Sequence, residues 1–164
     1  MSPAIRRIVS AAASTTAIIA LTNVAHAQAK SGMSASSKEM KSLTWGPAPD
    51  VFPAGAKTAV ERGDPTKSGE FVVRLSFPAG YKIPPHWHPT DEHVRVRSGE
   101  FLVGMGDMLD PSKIMKMAPG DTGTIAAKMH HFAIARVATE VSVRAEGPFA
   151  LTYVNAMDDP RKKN

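Results

Sequence analysis

Residues 80–99 read GYKIPPHWHPTDEHVRVRSG, and the reading of this stretch decides the fold. It carries three side chains able to ligate a metal: His86, His88 and Glu92. Two histidines separated by one residue project from the same face of an extended chain. Glu92 follows at an even step and returns to that face if the strand continues, and Val94 and Val96 keep the same parity. His93, Arg95 and Arg97 fall on the other face. One face reads ligand, ligand, ligand, Val, Val, while the other is basic and polar. That is the pattern of a barrel strand with a site inside and solvent outside.

A metal held by these three needs a fourth ligand, and a second cluster stands at His130 and His131. Five of the six histidines lie in these two clusters, which argues against scattered surface or packed histidines. Imidazole nitrogens with one carboxylate suit a divalent transition metal, with Fe, Mn, Cu, Ni and Zn all open. His93 and His130 each adjoin a candidate ligand. Strand alternation points them the other way, to the surface or to a hydrogen bond that orients a ligand. Trp87, between the two first ligands, is read as packing, and so is Tyr81 near the mouth.

A chain of 164 residues is long enough for a real core. Thirteen prolines and 12 glycines indicate many turns rather than long helices. The formal charge is +5, and removing Arg6 and Arg7 with the N-terminal segment takes it to +3. The remaining Lys and Arg are scattered apart from Arg161, Lys162 and Lys163, so no nucleic-acid partner is expected. There is no cysteine, which excludes disulfides, thiolate ligands and a cysteine nucleophile.

Residues 1–27 are expected to be a cleaved signal peptide. Arg6 and Arg7 supply the positive end, Ile8 to Leu21 the apolar run, and Ala25-His26-Ala27 the small-x-small cleavage pattern. The apolar run is too short for a span, so no stable membrane segment is expected after cleavage, and the location is periplasmic or secreted. Arg6-Arg7 also admits the twin-arginine route, although Ile8-Val9-Ser10 fit its fuller pattern poorly. Residues 28–41 read as a flexible polar linker, residues 42–156 as a barrel, and residues 157–164 as a frayed polar tail.

Within the barrel segment, a short first strand is expected at Leu43 to Trp45, then Lys57 to Glu61. Phe71 to Phe77 alternates cleanly, and Glu100 to Met105, Ile114 to Met117, Thr124 to Ala126 and His131 to Val137 follow. Val141 to Ala145 and Phe149 to Val154 are expected to pair across Glu146-Gly147-Pro148. Pro84, Pro85 and Pro89 cannot donate to a ladder, so the ligand strand is expected to be irregular or edge-like at its start. Phe71, Phe77, Phe101, Met105 and Phe132 are the core candidates. Many short strands without a sustained helical period imply an all-β barrel or sandwich.

The chain resembles the cupin superfamily. The first cupin motif runs Gly, five residues, His-x-His, three residues, Glu, six residues, Gly, and Gly80, His86, His88, Glu92 and Gly99 meet every fixed position. The second runs Gly, five residues, Pro-x-Gly, two residues, His, three residues, Asn. Here only Gly120 and His131 agree; Ala126, Lys128 and Ala135 depart from it. The resemblance selects His131 over His130 as the fourth ligand. It implies a cupin-type double-stranded β-helix (jelly-roll) barrel with metal held by His86, His88, Glu92 and His131. It also implies a metal-dependent oxidoreductase of the dioxygenase type acting on a small molecule, and a homodimer as a form open to the chain. The alternative is a non-catalytic periplasmic cupin that holds a metal or small ligand. No Gly-rich phosphate loop and no serine nucleophile elbow is present, so nucleophilic hydrolysis has no support.

Overall fold

Alternation of apolar and polar residues along residues 69–77 and 139–147 builds the centre of one sheet. Phe71, Val73, Leu75 and Phe77 are buried from the first segment, and Val141, Val143 and Ala145 from the second. The computed structural model describes residues 42–162, and the signal-peptide and linker readings at 1–27 and 28–41 lie outside them. Eleven strands are described: β1 (Gly46–Pro47), β2 (Lys57–Arg62), β3 (Gly69–Phe77), β4 (Tyr81–Trp87), β5 (Glu92–Ser98), β6 (Phe101–Met105), β7 (Ile114–Met117), β8 (Thr122–Ile125), β9 (His131–Ala135), β10 (Thr139–Gly147) and β11 (Thr152–Tyr153). They form two antiparallel sheets. One has the order β1-β2-β3-β10-β5-β8 and the other β11-β4-β9-β6-β7. The inner faces share one core of side chains from both sheets. Among the described residues the helical elements are three 3-10 turns, and no helix is long and apolar enough to cross a membrane.

The stretch 80–99 does not run as one strand. β4 ends at Trp87 and lies in the five-stranded sheet, while β5 starts at Glu92 in the six-stranded sheet. Residues 88–91, which include Pro89, cross between them, so Glu92 reaches the ligand face from the opposite wall of the barrel. Parity along a single strand predicted the right face for the wrong reason.

The prolines make β4 irregular as expected, but not an edge: it lies between β11 and β9. Ile83 pairs with Ala133 and His86 with His131, so β4 spends one residue more than β9 between these pairs. This bulge lies at Pro84 and Pro85, and it lets odd-numbered Ile83 and even-numbered His86 both face inward. Gly99, which closes the first motif, has φ +83 and would place a Cβ 2.4 Å from the Ala138 carbonyl oxygen. Only glycine fits that turn.

Three further expectations are corrected. The first strand is Gly46–Pro47 rather than Leu43 to Trp45, because pairing with Lys57 and Thr58 is what defines it. The last two apolar segments do not pair with each other: β11 adds to β4 across the barrel, and Phe149 lies in the connection. The polar tail is ordered through Lys162 in two 3-10 turns, where the Arg161 guanidinium holds the buried Asp159 carboxylate at 2.7 and 2.9 Å.

Candidate metal centre

Four polar side chains meet inside an otherwise apolar barrel. His86 comes from β4, His88 from just beyond its end, Glu92 from the start of β5 and His131 from the start of β9. The three histidines are almost completely buried, at 3%, 6% and 2% exposure. Their rings lie close together: centroids are 4.2 Å apart for His86 and His131, 5.0 Å for His86 and His88, and 5.4 Å for His88 and His131. One nitrogen from each lies within 4.8 Å of the other two, so His86, His88 and His131 can hold a metal ion. Glu92 joins them, its Oε2 lying 3.3 Å from His131 Nε2 and 3.6 Å from His88 Nε2.

The backbone fixes which nitrogen each ring offers. His86 Nδ1 lies 2.7 Å from the Pro84 carbonyl oxygen, His88 Nδ1 2.7 Å from that of Ala150, and His131 Nδ1 3.0 Å from that of Met129. A carbonyl oxygen only accepts, so each Nδ1 carries the proton and donates. In a neutral ring the Nε2 then carries a lone pair, which is the arrangement metal-ligating histidines use.

The Glu92 carboxylate oxygen faces two of these nitrogens, His131 Nε2 at 3.3 Å and His88 Nε2 at 3.6 Å. His88 Nε2 is buried with no hydrogen-bond partner in the described structure. A buried polar atom left this way costs about 1–3 kcal/mol. A cation among the four groups satisfies all of them at once. The donor set therefore fits a divalent transition metal on the chemistry of these atoms alone.

The titration behaviour agrees. Burial pushes the His86 ring down to about 3, helped by its neighbours His131 and His88. Burial alone would raise the Glu92 carboxyl, but the contact with His131 and the other imidazoles outweigh it and hold it at about 2. At neutral pH the centre is a carboxylate beside a neutral His86 ring. Metal binding needs that deprotonated state.

The remaining candidates fall outside the centre. His93 is on the outer side of β5, where Nδ1 lies 2.9 Å from Thr124 Oγ1. His130 Nδ1 contacts the Asp107 carboxylate at 2.6 Å near the surface. Tyr81 is packed on Phe77 and donates its hydroxyl to the Pro53 carbonyl; burial holds its proton on. Phe71, Phe77 and Phe101 are buried in the core as expected; Phe132 is buried on the other side of its sheet, outside that core, and Met105 is 36% exposed, opposite His131 in the β6–β9 pairing at the end of the barrel. Its strand ends at the barrel mouth, which alternation alone does not reveal.

Solved structures similar in fold include a putative acetylacetone dioxygenase from Methylibium petroleiphilum PM1. It is 20% identical, with a TM-score of 0.55, over 72% of this chain and 79% of that one. A polyketide cyclase from Streptomyces resistomycificus is 15% identical, with a TM-score of 0.53, over 65% of this chain and 76% of that one. An RmlC-like cupin from Shewanella frigidimarina is 20% identical, with a TM-score of 0.48, over 56% of this chain and 76% of that one. The chain has the cupin fold. At these identities the likeness is one of fold. No family model and no curated protein matches the sequence.

Two residues important to this cupin barrel escape the motif reading. Phe149 lies against His88 with ring centroids 5.2 Å apart, and the neighbouring Ala150 carbonyl orients His88. Neither carries a signal in the sequence, because both act through a loop brought 62 residues back along the chain.

Proposed function

We propose that the chain is a metal-dependent oxidoreductase of the dioxygenase type, with His86, His88, Glu92 and His131 holding one divalent transition metal. The observation that carries this reading is the convergence of three imidazole nitrogens within 4.8 Å of one another, with a carboxylate oxygen 3.3 and 3.6 Å from two of them. Two fold neighbours carry different descriptions, a cyclase and a putative dioxygenase, so fold alone does not choose the reaction. The ligand set supports the oxidoreductase reading. A redox-active metal bound there would supply Lewis acidity and a redox couple.

The chain's own residues have defined tasks. The carbonyls of Pro84, Ala150 and Met129 hold the three rings in one tautomer. Glu92 lowers the positive charge at the centre. The surrounding Phe, Val, Leu and Ile side chains keep water out and strengthen every electrostatic contact inside. The location follows from the N-terminal reading: an exported protein acting outside the cytoplasm.

One observation favours a second reading, a non-catalytic module that holds a metal or small ligand. Beyond the three histidines and Glu92, the side chains lining the interior are apolar, so no separate acid or base stands ready. Oxygen uptake by iron-, copper- or manganese-loaded protein with phenols, diketones and hydroxy acids separates the two. Uptake with one class establishes the oxidoreductase. Silence across the panel at full metal loading favours the binding module, and exclusive loading with zinc counts against oxygen chemistry, since zinc has no redox states to use.

A further inference from the structure

The interior faced by the four site residues is almost full. Free space between the side chains and at the mouth totals about 390 Å³, but only about 20 Å³ of it admits the centre of a water molecule. A volume of that size holds about one water. A metal ion at the centre therefore leaves room for very little beside it, and some side chain must decide what enters.

Phe149 is placed to do so. Its ring lines the interior, lies 5.2 Å from His88 and is tilted 39° to it. It is only partly buried, so one part of the ring meets solvent while another lies against the buried histidine. Its position is set by two other rings: it stacks on Phe52 at 6.2 Å and meets the edge of Phe71 at 5.9 Å. The next residue, Ala150, holds His88 through its carbonyl, so the aromatic ring and the orientation of the histidine are coupled in one loop.

We infer that Phe149 sets the size of the molecule that reaches the metal position. With its ring in place the position is open to ligands of two or three atoms, such as water, dioxygen or azide, and closed to ring-sized ones. A larger organic substrate meets this ring at the mouth before it meets the centre. The inference rests on the metal reading above and deepens it.

The test uses full-length protein loaded with cobalt(II), whose visible spectrum reports added ligands without any turnover. Cobalt stoichiometry is read first. Less than one equivalent in the wild type overturns the metal reading, and this inference falls with it. With cobalt bound, azide is expected to shift the spectra of wild type and Phe149→Ala alike. The bulkier 4-phenylimidazole is expected to shift only the variant, with an apparent affinity at least tenfold above wild type. Phe149→Leu keeps most of the apolar bulk and serves if the alanine variant does not fold; it is expected to bind 4-phenylimidazole more tightly than wild type. Equal response of wild type and variants to 4-phenylimidazole, or no response of the wild type to azide, overturns the inference.

Discussion

The Lys128 amide donates to the His88 carbonyl oxygen at 2.7 Å, and Lys128 makes this bond from a left-handed backbone conformation. Its φ of 63 is the only positive value at a non-glycine residue among the described residues. The cupin pattern has glycine at this position. One residue earlier, the Ala127 amide donates to the Asp91 carboxylate at 2.8 Å, so the strap before His131 is tied to the turn between His88 and Glu92. The strained lysine thus holds the two halves of the centre together. Strain of this kind persists only where surrounding contacts impose it.

Replacing Lys128 by glycine relieves the left-handed strain, which costs a non-glycine residue roughly 1–2 kcal/mol. Glycine also loosens the unfolded chain, which takes back about 0.4–1 kcal/mol. Lys128 is exposed, so little packing is lost. K128G is expected to stabilise the metal-free protein by about 0.5–1 kcal/mol in urea unfolding. A clear loss of stability shows that the lysine side chain, not the backbone, matters here.

Phe132 and Gly104 form a fitted pair on the outer side of the five-stranded sheet. Phe132 is fully buried, and a Cβ at Gly104 would come within 2.0 Å of its ring. Gly104→Ala is therefore expected to destabilise by about 1–3 kcal/mol through overpacking. The double variant with Phe132→Leu is expected to recover part of that loss. Purely additive effects in the cycle contradict the fitted contact.

Acid destabilises the metal-free protein in two windows. His86 is neutral in the fold down to about pH 3 but titrates near 6.5 when unfolded, so the unfolded state takes up the proton first and stability falls between those values. Glu92 is held at about 2 against an ordinary 4.5, so its contribution is present above 4.5 and is lost as pH falls toward 2. The two effects share a sign. Thermal melts are expected to begin falling just below pH 6.5, and His86→Asn to remove that first part of the decline. A flat profile from pH 7 to 4 contradicts the buried neutral ring.

Glu92→Gln tests the carboxylate in metal binding and in folding. The amide keeps the size of the side chain but loses the charge whose contacts with the imidazoles hold Glu92 ionised, so at pH 7.5 the metal-free variant is expected to be less stable than wild type. Its affinity for divalent metal is expected to fall tenfold or more, read by competition with a chelator. Unchanged affinity contradicts the role given to Glu92.

The spacing of His86, His88, Glu92 and His131 made the barrel and its centre legible, because a motif of fixed spacing encodes which positions meet. What lay between the motifs was less so. Alternation cannot show that residues 88–91 change sheets, nor that a bulge at Pro84 and Pro85 turns both Ile83 and His86 inward. Met105 alternates like a core residue but stands at the end of its strand, beyond the packed interior. Phe149 and Ala150 act through a loop whose position depends on the closed barrel.

The central claim is one metal held jointly by side chains from both sheets. Its most direct measurement is the metal content of protein purified from its native compartment, taken by elemental analysis for wild type, His86→Ala and His131→Ala. About one transition-metal ion per chain in wild type, with loss in both variants while circular dichroism shows the β fold intact, is the expected result. Full metal content in His131→Ala alongside an empty His86→Ala contradicts the shared centre.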